Sequence, residues 1–188
     1  MKIIYIHGFN SAGYGEKINH LRKAFGEENV ITPTLPYDPE KAIKLLEYLV
    51  EKMKDDDLYL IGTSLGGYYA LYLTNKYDVP SIIINPSLYP YKSLESQVGH
   101  QKNYKTDEEY EFKKEYLEFL KKIRFSKSDL EKHKDKIFVY LDENDELLDS
   151  RETAEYFKDF YVKMYPGGNH RFTHMPELIQ DLKQNVIK

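Results

Sequence analysis

The stretch Leu58-Tyr59-Leu60-Ile61-Gly62-Thr63-Ser64-Leu65-Gly66-Gly67-Tyr68-Tyr69-Ala70 reads as a buried strand, a Gly-x-Ser-x-Gly turn and the opening of a helix. So sharp a passage from strand to helix strains the central residue and crowds its neighbours, so Gly62 and Gly66 supply the missing Cβ atoms. Ser64 is then presented at the carboxyl end of a sheet. The first N–H groups of the following helix face the same point, where their partial positive charge suits an oxyanion, with the Leu65 N–H as the obvious donor. A serine hydroxyl is a poor nucleophile at neutral pH, so it requires a base, and the base requires an acid that holds its tautomer.

Outward from this turn, short β-branched runs alternate with segments of helical periodicity, the pattern of a mainly parallel sheet covered on both faces. Strands are expected at Lys2–His7, Asn29–Thr32, Leu58–Gly62, Ser81–Asn85, Lys136–Leu141 and Phe160–Tyr165. Helices are expected at Gly15–Phe25, Pro39–Met53, Leu65–Tyr77, Asp107–Lys122, Arg151–Lys158 and Pro176–Val186. With no repeat, linker or low-complexity stretch, the reading is one domain over residues 1–188. The connection from Pro86 to Asp135 is far longer than a simple βα loop and one helix require, so residues 86–135 are expected to be a helical cap insertion, over a pocket or completing the outer layer.

In such a sheet the acid follows a late strand and the base follows the last one. Asp142-Glu143-Asn144-Asp145-Glu146-Leu147-Leu148-Asp149 follows the first of these strands, and Gly167-Gly168-Asn169-His170-Arg171-Phe172 the second. Asp145 ranks first as the acid and Asp142, close to the strand end, ranks second; Asp149 suits a helix cap. His170 ranks first as the base, on a Gly-Gly turn, and His174 is its nearest rival. The run Ile4-Tyr5-Ile6-His7-Gly8-Phe9-Asn10-Ser11 ends another strand, and its loop is expected to turn the Phe9 N–H toward the oxyanion, with Gly8 letting the backbone bend and His7 structural.

Composition narrows the remaining possibilities. The 188 residues carry 27 Lys and Arg against 31 Asp and Glu, a net charge of -4, so nucleic acid is an unsuitable partner. Zero cysteines exclude disulfides, a thiolate nucleophile and Cys-based zinc sites. No apolar run reaches the roughly 18 residues of a membrane span, and Met1–Phe9 lacks the form of a secretory leader, so a cytoplasmic protein is expected. No spacing of histidines suggests a metal site, and the serine chemistry calls for no cofactor.

The ordered set His7-Gly8-Phe9-Asn10-Ser11, Gly62 to Ala70, Asn85-Pro86, Asn103-Tyr104-Lys105-Thr106, Asn144 to Asp149 and Gly167 to Phe172 resembles the YqiA-like bacterial esterase family of small α/β-hydrolases. That resemblance implies hydrolysis of carboxylic esters or acyl thioesters on small-molecule substrates, and it implies a triad of Ser64, Asp145 and His170. The expected fold is a reduced α/β-hydrolase fold with a six-stranded sheet, since the first strand already begins at Lys2. Asn144 stands where the family usually has Gly, and is expected to tolerate a left-handed backbone there. The competing expectation is a catalytically silent protein of this fold that binds a ligand or partner.

Overall fold

The computed structural model describes residues 1–54 and 56–187; Asp55 and Lys188 lie outside the described residues. Six strands form one parallel sheet in the order β2-β1-β3-β4-β7-β8: β1 (Lys2–Ile6), β2 (Val30–Ile31), β3 (Leu58–Thr63), β4 (Ser81–Ile84), β7 (Ile137–Asp142) and β8 (Tyr161–Tyr165). Their side chains alternate between two apolar layers, which is why the strands read as continuous apolar runs. Ile3, Tyr5, Ile61, Ile82, Ile84 and Tyr140 pack on one face with α1 (Glu16–Phe25) and α8 (Met175–Asp181). Ile4, Ile6, Leu60, Ile83, Val139 and Leu141 pack on the other, against α2 (Pro39–Met53) and α3 (Leu65–Tyr77).

The second helix forms as its sequence dictates. The Asp38 carboxylate accepts from the Glu40 and Lys41 amides, Pro39 occupies the first turn, and Ala42, Ile43, Leu46 and Val50 form the buried stripe. Strand order turns back at β1, which lies between β2 and β3. The chain leaving β1 passes through α1 on one face, and the chain leaving β3 passes through α3 on the other. The crevice at the carboxyl ends of β1 and β3 is therefore the place where this architecture admits a ligand.

The six expected strands are all present, although Asn29–Thr32 shortens to Val30–Ile31. The expected helix Asp107–Lys122 is corrected. Its first part is strand β6 (Glu109–Phe112), paired antiparallel with β5 (Gly99–Lys102), and only α5 (Lys114–Lys122) is helical. Tyr110 and Phe112 alternate with exposed Glu109 and Glu111, a period of two that the later helical stripe concealed. Between β4 and β7 the chain thus adds a short α4 (Pro90–Ser93), this hairpin, α5 and α6 (Lys127–Glu131), so the segment is mixed rather than helical, and α7 (Ser150–Tyr156) links β7 to β8. The Tyr68 hydroxyl donates to the Leu120 carbonyl at 2.7 Å and ties α5 to α3.

The hairpin is fastened to the loop after β1. Asn103, fully buried, donates to the Ser11 carbonyl at 2.9 Å, and the Tyr110 hydroxyl donates to Asn10 Oδ1 at 2.5 Å. The Tyr37 and Tyr110 rings stack at 3.6 Å, and Phe9 meets Phe112 edge-on at 5.2 Å. These contacts give the insertion a direct hold on the backbone beside Ser64.

Candidate active site

Ser64 lies between β3 and α3 with φ 55° and ψ -118°, a left-handed conformation that costs a non-glycine residue about 1–3 kcal/mol. Neighbouring bonds hold it there. Its N–H donates to the Ile84 carbonyl at 3.0 Å, and its carbonyl accepts from Gly67 at 2.9 Å and Ser87 at 3.1 Å. A Cβ on Gly62 would lie 2.3 Å from the Gly66 carbonyl oxygen, and one on Gly66 would lie 2.0 Å from that of Ile6. Both glycines are required by close backbone approach.

The structure brings Ser64, His170 and Asp145 together. His170 Nε2 lies 3.1 Å from Ser64 Oγ, and its Nδ1 lies 2.8 Å and 3.0 Å from the two oxygens of Asp145. Since a carboxylate only accepts, Nδ1 carries the proton and Nε2 is free to accept from the serine. The Asp145 side chain is almost wholly buried, and its Oδ1 also accepts from the Leu147 and Leu148 amides at 2.8 Å and 2.9 Å, which fixes its plane.

Asp142 has a different position. Buried at the end of β7, it accepts from the Asn169 and Thr173 amides at 3.1 Å and 2.7 Å, from the Thr173 hydroxyl at 3.2 Å, and from His174 Nδ1 at 2.6 Å. It therefore anchors the loop that carries His170, and His174 is paired with it rather than with Ser64. The same loop is held by Asn85 Nδ2, which donates to the Asn169 and His170 carbonyls at 3.1 Å and 3.3 Å, and by Glu146, which accepts from the His170 amide at 2.8 Å. Asn85 and Glu146 stand within the ordered motifs without an assigned role, and Thr173 escapes sequence reasoning, because nothing in their spacing points to an anchoring function. The left-handed positions of this region include Gly167 and Gly168, at φ 76° and 71°. Asn144 is not among them, so no left-handed backbone has to be tolerated there; its amide donates to the Gly167 carbonyl at 2.9 Å.

The loop after β1 passes directly beside Ser64. A Cβ on Gly8 would lie 3.2 Å from the Ser64 Cβ, so glycine here serves close approach rather than a left-handed bend. Phe9 and Leu65 both line the cavity at Ser64, and neither amide has a backbone hydrogen-bond partner among the described residues. That leaves two N–H groups available to an oxygen. The cavity holds about 520 Å³, with Leu94 and Gln97 from the insertion on one side and Leu147 and Leu148 on another. Among the described residues, no group of three or more His, Asp or Glu side chains could hold a metal ion, and no helix is long and apolar enough to cross a membrane.

His7 secures this loop from behind. Its Nε2 accepts from the Leu35 amide at 2.9 Å and its Nδ1 donates to the Gly8 carbonyl at 2.8 Å, which requires the neutral ring. Burial pushes its pKa below the ordinary value, and the Gly8 carbonyl opposes this only in part. A neutral buried base loses stability when it must take up a proton, so the unfolded state binds more protons here as pH falls. Unfolding free energy from urea titration should accordingly decrease below about pH 6.5, and His7→Gln should flatten that part of the profile. A wild-type profile unchanged by His7→Gln would show that the ring carries no such linkage.

Comparison with known proteins bears on the whole chain. Residues 2–186 match the family model described as an uncharacterised protein family, UPF0227. The UPF0227 protein YcfP of Escherichia coli (strain K12 / DH10B) is 27% identical over 187 residues, covering 96% of both chains. Among solved structures, Est1E from Butyrivibrio proteoclasticus superposes with a TM-score of 0.72 at 17% identity, covering 97% of this chain and 85% of its own. The monoacylglycerol lipase of Paleococcus ferrophilus does so with a TM-score of 0.68 at 13% identity, covering 98% and 93%. The fold is that of the α/β-hydrolases, and the chain belongs to the UPF0227 family, the YqiA-like family that its ordered motifs resemble.

Proposed function

We propose that this protein is a serine hydrolase that cleaves carboxylic esters or acyl thioesters through an acyl-enzyme intermediate. The observation that carries the reading is the continuous hydrogen-bonded chain from Ser64 Oγ through His170 to Asp145, beside two unpartnered amides. Ser64 attacks the acyl carbonyl while His170 Nε2 takes its proton, and Asp145 stabilises the resulting imidazolium. The Phe9 and Leu65 N–H groups receive the oxyanion; in comparable sites each such donor contributes about 2.7–4 kcal/mol to the transition state. His170 then protonates the leaving oxygen or sulfur, and water, deprotonated by the same ring, releases the acid. The α/β-hydrolase fold supports this reading as an architecture that lends itself to the chemistry, and one structural relative is a monoacylglycerol lipase.

A fluorophosphonate probe tests the reading, because it phosphonylates only an activated serine. Mass spectrometry should locate one adduct on the peptide containing Ser64, with no labelling in Ser64→Ala. An unlabelled wild-type protein, together with no hydrolysis of p-nitrophenyl butyrate or of butyryl thioesters, would favour the ligand-binding alternative.

A further inference from the structure

A second cavity of about 580 Å³ adjoins the first, and Tyr5, Ser11, Lys17, Tyr104 and Arg171 line both. The two form one trough that starts at Ser64 and continues past His170. Cations collect in its far half. Lys17 lies in the first turn of α1, Lys105 in the turn of the hairpin, and Arg171 directly follows His170; all three line the second cavity. They come from segments remote in sequence. Lys105 lies over the start of α1, with its Nζ 3.3 Å from the point where a Cβ on Gly15 would stand. Burial, together with repulsion from Lys105 and Arg171, lowers the Lys17 pKa from the usual lysine value.

Lys17 is half-buried while Lys105 and Arg171 are exposed, and like charges so gathered repel one another unless something supplies the opposite charge. Within the chain the compensation is small. Among the described residues none of the three forms an ion pair; Glu16, almost fully exposed and 3.9 Å from His20, and Asp142, held in the loop it anchors, attract Lys17 without contacting it. The three cations gathered in the far half, with Glu16 the one carboxylate lining it, suit an anionic group such as a phosphate. Position then assigns the charge to one end of the substrate. The leaving atom must meet His170 Nε2, and Arg171 is the next residue, whereas Leu94, Leu147 and Leu148 give the first cavity an apolar side suited to an acyl chain.

We infer that the trough takes an acyl ester or thioester whose leaving group carries a phosphate, with that phosphate held among Lys17, Lys105 and Arg171. The inference builds on the hydrolase reading but can fail separately from it. Binding is measured first, by calorimetry on Ser64→Ala, using the monophosphates of two-, four- and six-carbon diols, the parent diols and the matching hydroxy acids. At least one monophosphate should bind about tenfold or more tightly than its diol and its hydroxy acid, and Lys17→Met with Arg171→Met should remove that advantage. Turnover is measured next, as the ratio of kcat/KM for the butyrate ester of the best monophosphate to that of its diol. The ratio should exceed about ten in the wild type and fall toward one in the double variant. Equal binding of diol and monophosphate, preference for the hydroxy acid, or an advantage that survives the double variant would overturn the inference. Selective binding of the monophosphate without hydrolysis of either ester would support the phosphate site and refute the hydrolase reading. Thermal melting supplies a folding control, since relieving repulsion among the cations should leave Tm equal or higher.

Discussion

Ser64→Ala should lower kcat on p-nitrophenyl butyrate by about 10⁶-fold, the loss found when a serine hydrolase is deprived of its nucleophile. The expected residual rate is that of a cavity that still binds the ester and still offers the Phe9 and Leu65 amides. Stability should hardly move, because the hydroxyl's hydrogen bond is to His170 Nε2, a partner that water can replace in an open cavity. Alanine also keeps the left-handed backbone at φ 55° under the same steric penalty as serine. Ser64→Gly removes that penalty and should raise the unfolding free energy by about 1 kcal/mol while remaining as inactive as the alanine variant. A stabilised but inactive Ser64→Gly would mark the turn as a place where the fold gives up stability for function. Activity within a hundredfold of wild type in Ser64→Ala would show that another group attacks the ester.

The parts of the site legible in the sequence are those dictated by local sterics and by strand order. Gly62 and Gly66 announce themselves because no other residue fits where β3, α3 and β1 meet. His170 and Asp145 could be sought at strand ends because a parallel sheet aligns its carboxyl ends. The hairpin Gly99–Phe112 was hidden for a physical reason: Phe112 packs with Tyr116 at 5.5 Å, so it also fits the stripe of the helix that follows. Only the partners of Tyr110 and Asn103 on the β1 loop reveal the alternation as a strand. Lys17 and Lys105 were equally silent, since a lysine on a polar segment reads as solvated until the fold brings it beside Arg171. Long-range convergence of charge leaves no periodic trace.

Two Asp–His pairs stand side by side at the end of β7, and exchanging each carboxylate for an amide should separate their roles. In Asp145→Asn, the oxygen that receives the Leu147 and Leu148 amides must remain an oxygen, so the NH₂ group takes the position facing His170 Nδ1. An NH₂ donor there opposes the Nδ1 proton and leaves it only the 3.0 Å contact to the already shared Oδ1, which favours the tautomer with the proton on Nε2, where the ring can no longer take the proton of Ser64. The expected loss in kcat is about 10⁴-fold, as for other triads given the wrong tautomer, with Tm little changed. In Asp142→Asn, the oxygen serving Asn169 and Thr173 is likewise retained, and the NH₂ group meets His174, which does not touch Ser64. That change weakens a buried anchor instead, so unfolding free energy should fall by about 1–3 kcal/mol while kcat below the transition stays within about tenfold. The two variants therefore respond on opposite axes, one in rate and one in melting. Were Asp142→Asn the inactive variant and Asp145→Asn the active one, the acid of the triad would be Asp142, and the 2.8 Å contact between Asp145 and His170 would be structural only.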